Sequence, residues 1–328
     1  MVVAILKRMH KWLLLAALTF SLFAYFGFHE YGTEAYVSEA EKEHIETVSI
    51  PILFVGDIML GRHVETLAEG SKDRLRSFNQ IRDFLSQHVT IANLEGTIPL
   101  KHVKTPINGF IFSFPTSTPE TLKKGGITAV SLANNHMFDK GRSGYEETKR
   151  ALDVGSVAHF GGYSPTTDDY FETKIGTTTV IVYGITMIAT GWDEEQALDM
   201  AKKLHTEHPD AHLVAFLHWG DEYVTQNIYQ RAFAHNLIDN GVDVIIGAHP
   251  HVIQGIETYK GKPIFYSLGN FIFDQYWHKD TEKGYMVRMS DSVDTIRYEL
   301  IPVRQFRSVV YVATSTEQGE ILSDISKQ

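Results

Sequence analysis

The chain contains no cysteine. That excludes disulfides, and it excludes any metal site built on thiolates. A transition metal here would have to be held by imidazole, carboxylate and amide groups. Positive charge is also short: 30 Lys and Arg stand against 40 Asp and Glu, a formal net charge of -10. Bulk charge therefore excludes nucleic acid as a partner, and an anionic polymer could be bound only at a local cationic spot. A metal ion would supply such a spot. No internal repeat and no low-complexity tract is present. What remains is ordinary for a globular protein, with 43% hydrophobic and 21% charged residues in 328, enough for a substantial core. The 16 histidines are the compositional oddity.

The N-terminus reads as an address. Lys7, Arg8 and Lys11 precede an apolar run from Trp12 to Phe28, and Glu30, Glu34, Glu39 and Glu41 follow it. The run shows no polar face, which argues against a buried core helix. A cleaved signal peptide is the alternative, with Thr33-Glu34-Ala35 as a weak cleavage site. Read as an uncleaved anchor, it predicts a single-pass membrane protein with residues 1–11 in the cytoplasm and everything after Phe28 outside. Residues 29–49 are polar and rich in Glu, and they read as a linker.

From Ile50 onward short apolar strands alternate with amphipathic helices, which predicts an α/β domain over residues 50–310 and a tail over 311–328. Strands are predicted at Ile52–Val55, Val89–Ala92, Ile127–Leu132, Leu213–Leu217 and Val242–Ile246. The spacing of Leu75, Phe78, Ile81 and Leu85 predicts a helix over Lys72–Gln87. Further helices are expected at Thr118–Lys124, Gly144–Val154, Glu194–His205 and Asn227–Asn240. Gly255–Tyr259 and Lys262–Tyr266 read as a hairpin around Gly261.

The polar residues fall in a pattern. Five separate apolar strands end in potential metal ligands: Asp57, Glu95, Asn135 with His136, His218, and His249 with His251. Each has a plain structural explanation when taken alone. Asp57 could cap a helix, Glu95 could be a solvated loop acid, Asn134-Asn135 a left-handed turn, and His218 a core-edge histidine. Five such coincidences at corresponding positions are hard to accept, because α/β sheets bind ligands outside the carboxyl ends of their strands. His249 and His251 are two apart, and extended residues two apart project to one side.

Gly56-Asp57-Ile58-Met59-Leu60-Gly61-Arg62, Asn93-Leu94-Glu95, Asn134-Asn135-His136, His218-Trp219-Gly220, Gly247-Ala248-His249-Pro250-His251 and Tyr266-Ser267-Leu268-Gly269-Asn270-Phe271 together resemble the CapA/PgsA family. Its members are membrane-anchored proteins of capsule and poly-γ-glutamate synthesis, with a domain similar to the calcineurin-like metallophosphoesterases. The resemblance covers Ile50 to Asp274. It implies an α-β-β-α sandwich of two sheets flanked by helices, carrying two divalent ions (manganese, iron or zinc) at the strand ends. By that resemblance Asp57 and His251 bind the first ion and Glu95 bridges both. Asn135, His218 and His249 bind the second, and His136 is the acid beside the leaving group. Arg62 is the candidate for holding a substrate oxyanion; no role is assigned to Glu222, Asn270 or Asp274. Metal-assisted phosphoester hydrolysis is the activity such a site implies.

Two departures bear on catalysis. Met59 stands where the superfamily carries the His of D-x-H, and Glu95 stands where it carries Asp. The first ion is thereby one ligand short. A non-catalytic role in assembling, exporting or anchoring the polymer, among other membrane proteins of a synthesis complex, is the competing expectation.

Overall fold

The computed structural model describes residues 49–162, 169–292 and 295–328. The expected membrane run over 12–28 lies outside the described residues. Among the described residues no helix is long and apolar enough to cross a membrane.

The chain first forms β1 (Ile52–Ile58), α1 (Arg62–Ser71), a 3-10 turn (Arg76–Phe78), α2 (Arg82–Leu85) and β2 (Val89–Leu94). There follow α3 (Thr118–Lys124), β3 (Ala129–Ser131), α4 (Gly141–Gly155) and β4 (Ala158–Phe160). The second half adds β5 (Tyr170–Ile175), β6 (Thr178–Thr186), α5 (Glu194–Glu207), β7 (His212–His218), α6 (Ile228–Asp239) and β8 (Val244–Ala248). After these come β9 (Ile256–Tyr259), β10 (Lys262–Phe265) and β11 (Asn270–Ile272). The last elements are β12 (Lys283–Ser292), β13 (Thr295–Phe306), β14 (Val309–Val312) and α7 (Ser315–Ser326).

Strand alternation builds the layers. Leu53 and Val55 of β1 turn to a core shared with Val64, Phe78, Leu85, Leu122 and Leu152 on the helical side. Their neighbours Ile52 and Phe54 turn the other way, onto Val214, Phe216, Val244 and Ile246. Those strands repeat the device: Leu213, Ala215, Leu217 and Ile245 pack outward on Ala197, Leu204, Phe233 and Leu237 of α5 and α6. A period of two in strands that are apolar on both sides gives helices, sheet, sheet, helices. The mixed α/β fold of two sheets flanked by helices is therefore as expected.

One sheet is 8-stranded in the order β14-β13-β12-β1-β2-β3-β4, with β11 beside β1. The other is 6-stranded in the order β5-β6-β7-β8-β10-β9. β1 to β4 run parallel to one another, as do β6, β7, β8 and β10. The carboxyl ends of β1, β2, β3, β7 and β8 accordingly open onto one edge of the sandwich.

Two expectations are corrected. Lys72–Gln87 is not one helix: Lys72 is left-handed (φ 54°) and ends α1, and Asp73 Oδ1 accepts from Leu75 N at 2.9 Å to start a turn. Phe78, Ile81 and Leu85 are still buried, since successive short turns place apolar residues inward as well as a helix does. Residues 311–328 are not a tail. They carry α7, opened by a capping box of Thr314 and Glu317, and Ile321 and Ile325 join the core between the sheets.

Candidate metal centre

Close chain crossings set up the site. A Cβ on Gly56 would fall on the carbonyl oxygen of Gly269, and one on Gly247 on that of Tyr266. Glycine at both positions lets the ends of β1 and β8 approach their neighbours. Beyond them Asp57, Glu95, His218, His249 and His251 are all buried. One ligand atom each from Asp57, Glu95 and His251 lies within 4.8 Å of the others. Asn135 Oδ1 is 2.8 Å from His218 Nε2, and the His218 and His249 rings are 4.7 Å apart. His136 Nε2 lies 3.7 Å from Glu95 Oε1, and His251 Nε2 lies 3.8 Å from the same oxygen. Seven of the eight residues singled out in the sequence thus meet at one place.

The two histidines of β8 arrive by a different route from the one their spacing suggests. The strand stops at Ala248, and His249 (φ 95°) and His251 (φ 59°) are both in the left-handed region. A turn, not the pleat, aims the rings. Tyr223 (φ 64°) and Arg62 (φ 47°) share that conformation at the rim. Backbone strain of about 1–3 kcal/mol per residue tends to gather at functional sites.

Supporting side chains hold the ligands in place. Asn93 Nδ2 donates to Asp57 Oδ1 at 2.7 Å and lies 3.3 Å from His218 Nδ1, while its Oδ1 accepts from Asn134 Nδ2. His249 N donates to Asp57 Oδ2 at 3.2 Å. Asn270 Nδ2 donates to Gln275 Oε1, so its Oδ1 faces His251 Nδ1 at 2.9 Å. His251 Nδ1 is therefore the donor there, and Nε2 is the nitrogen turned to Glu95. Asp139 Oδ2 lies 2.8 Å from His136 Nδ1 and also accepts from Phe112 N. That fixes His136 with Nε2 facing the site. Asn93 and Asn270 stood inside motifs without a role, and Asp139, three residues past His136, carried no local signal.

Glu95 is the electrostatic centre. Neither of its oxygens has a hydrogen-bond partner among the described residues, and the side chain is fully buried. Burial raises its pKa to about 7, partly opposed by His251 and reinforced by Asp57. Burial disfavours the charged form of His251 too, but Glu95 and Asp57 outweigh it and raise the value to about 9. His249 is lowered to about 4 by burial and by the charge of His251. His218 is lowered well below its ordinary value, first by burial and then by His249. The neutral imidazoles of His218 and His249, beside a carboxylate without a hydrogen-bond partner among the described residues, fit a divalent cation: such a carboxylate costs more than the ~1–3 kcal/mol of an unpaired neutral group. The donor set of carboxylate, amide and imidazole suits manganese, iron or zinc.

Arg62 stands apart. It is 2% exposed and forms a buried ion pair with Asp274, whose Oδ2 also accepts from His63 N at 2.9 Å. Its guanidinium lies 4.9 Å from the Phe112 ring and 5.4 Å from Phe273. Those two rings in turn lie against His136 and His251, at 4.1 and 4.8 Å. Met59 is buried, and its Sδ accepts from Gly61 N at 3.1 Å, which ties it to the backbone.

Fold and site together define a two-sheet α/β protein with a group of carboxylates and histidines at its strand ends that could hold a metal ion. Residues 51–275 match the family described as bacterial capsule synthesis protein PGA_cap, and the chain belongs to that family. It is 30% identical over 298 residues to the PGA biosynthesis protein CapA of Bacillus subtilis (strain 168), covering 82% of this chain and 76% of that protein. It is 28% identical over 313 residues to the capsule biosynthesis protein CapA of Bacillus anthracis, covering 88% and 75%. A hypothetical protein from Thermus thermophilus has a similar fold, with TM-score 0.51 at 15% identity over 77% of this chain and 99% of that one. The matched family span runs from before Asp57 to just past Asp274, so it contains the whole site.

Proposed function

We propose that this protein is a membrane-anchored, extracytoplasmic component of capsule or poly-γ-glutamate synthesis whose strand-end site is a dinuclear, metallophosphoesterase-like centre that hydrolyses a phosphoester. The observation that supports this reading best is Glu95: a buried carboxylate, among Asp57, His136 and His251, whose oxygens have no hydrogen-bond partner among the described residues. Divalent ions bound there would supply a nucleophile at neutral pH and counter-charge for phosphoryl oxygens. Asp57 and His251 would hold one ion, Asn135, His218 and His249 the other, with Glu95 between them. His136, oriented by Asp139, would give its Nε2 proton to the leaving oxygen. Arg62 is the residue proposed to hold a substrate oxyanion; its guanidinium lies against Phe112 and Phe273, the rings that pack on His136 and His251. Phe112, stacked on His136, would help keep water away from that transfer.

Family membership speaks to the process, and the chemistry is inferred from the site, since a fold does not by itself imply an activity. The partners this reading implies are the membrane, other membrane proteins of a polymer synthesis or export complex, and an anionic polymer. Met59 favours a second reading. With its sulfur held by the Gly61 amide, it leaves the first ion without the third ligand of the superfamily pattern, as suits a non-catalytic assembly subunit. The test is hydrolysis of a generic phosphoester by the full chain, with and without added manganese, iron or zinc. Metal-dependent turnover supports the enzyme; tight metal binding without turnover supports the assembly role.

A further inference from the structure

The segment between β2 and α3 is built inside out. Leu100, Val103, Ile107, Phe110 and Ile111 are 72, 68, 60, 73 and 56% exposed. His102 and Thr105 of the same loop point inward. His102 lies 2.8 Å from Glu65 Oε1 through Nε2 and 2.9 Å from Ser113 Oγ through Nδ1. Thr105 Oγ1 donates to Ile111 O at 2.8 Å and accepts from Ser113 N at 3.1 Å. Leu100 N donates to Glu147 Oε2, and a bridge between Thr97 and Ser113 closes the base. Single apolar residues on a surface are ordinary, but five within residues 100–111, held outward by buried polar anchors, form an interaction surface.

We propose that this loop inserts into the lipid headgroup layer of the membrane to which the chain is anchored. The inference rests on the anchor reading above. Between Phe28 and Ile50 the chain can span at most ~70 Å when extended, so on that reading the domain is tethered to the bilayer. A tether of that kind makes even a weak second contact effective. The chemistry suits an interface: apolar tips beside the exposed Lys101, with Lys104 paired to Glu69, in a protein otherwise net acidic. Phe112 follows directly and stacks on His136, which is 15% exposed. Insertion would therefore set the mouth of the site at headgroup level, facing a substrate presented at the membrane surface.

The absence of cysteine makes the test direct. Phe110→Cys and, as a control on the exposed face of α6, Tyr229→Cys each give one site for an environment-sensitive fluorophore. Each full chain is reconstituted into liposomes carrying a lipid-borne quencher and floated on a density gradient. The label at 110 is expected to shift to the blue and be quenched, and the label at 229 to stay as in water. Co-flotation with an unshifted, unquenched label at 110 would overturn the loop proposal and leave the anchor standing. Failure of the chain to float would overturn both. A shift at 110 that appears only when other membrane proteins are added would assign the surface to a protein and overturn the lipid proposal.

Discussion

Glu95→Gln keeps the shape of the side chain and removes its charge, and its effect on the metal-free protein has a sign that can be worked out. Glu95 ionises at about 7 in the folded protein against an ordinary 4.5. Between those values the folded state keeps a proton that the unfolded chain has lost, so stability falls as pH rises. By pH 8 the fall is complete, and at 1.36 kcal/mol per pH unit it amounts to about 3 kcal/mol. Glutamine never ionises and escapes this loss. The same substitution removes the charge that chiefly raises His251, so the variant in chelator at pH 8 is expected to be more stable than wild type by less than that ~3 kcal/mol, a rise of a few degrees in Tm. The difference should vanish below pH 4.5, where Glu95 is protonated in both states. Saturating metal should reverse the order, since an ion at 1,000 times its Kd stabilises by about 4 kcal/mol and the variant has lost the central ligand. Thermal unfolding followed by circular dichroism, with chelator and with metal, reads both effects. A variant that is less stable than wild type in chelator, by the ~3–5 kcal/mol of a broken buried pair, would show that the Glu95–His251 pair holds the metal-free fold together and refute the ligand assignment.

Metal binding must displace protons, and the site says how many. Glu95 and His251 both hold one below about 7 and only His251 does up to about 9, while His249 is already neutral above about 4. Affinity should thus climb by about two decades per pH unit below 7 and one between 7 and 9; calorimetry in buffers of differing ionisation enthalpy would count the protons, and a flat profile would remove these residues from the ligand set. His136→Ala should leave the ions bound and lower turnover by roughly 10²–10⁴, checked by metal content and steady-state rates on the same preparation. Asp274→Asn leaves Arg62 buried without its counter-charge. It should cost about 3–5 kcal/mol in chemical denaturation, and a cost below about 1 kcal/mol would mean the pair is not buried in solution.

The convergence of Asp57, Glu95, Asn135, His136, His218, His249 and His251 was legible because strand ends can be read from apolar runs, and the ends of parallel strands share one edge of a sheet. How they are held was not. Asn93 touches Asp57 and His218, and Asp139 holds His136 while accepting from Phe112. Partners brought together from distant parts of the chain leave no periodicity to read. The helix expected over Lys72–Gln87 failed for a related reason: spacing reports which residues are buried, while Lys72 and Asp73 decide where the backbone turns. Alternation suggested that His249 and His251 face one way, and they do converge, but through two left-handed residues that no propensity favours. α7 was missed because only Ile321 and Ile325 of its residues bury deeply, too sparse a stripe to stand out in a polar stretch.

Metal stoichiometry of the full chain and its histidine variants bears most directly on a dinuclear site. Wild type is expected to bind two ions of manganese, iron or zinc. His251→Ala should lose the one shared with Asp57, and His249→Ala the one shared with Asn135 and His218. Wild-type protein that binds none of the three metals, or histidine variants that bind as much as wild type, would contradict it.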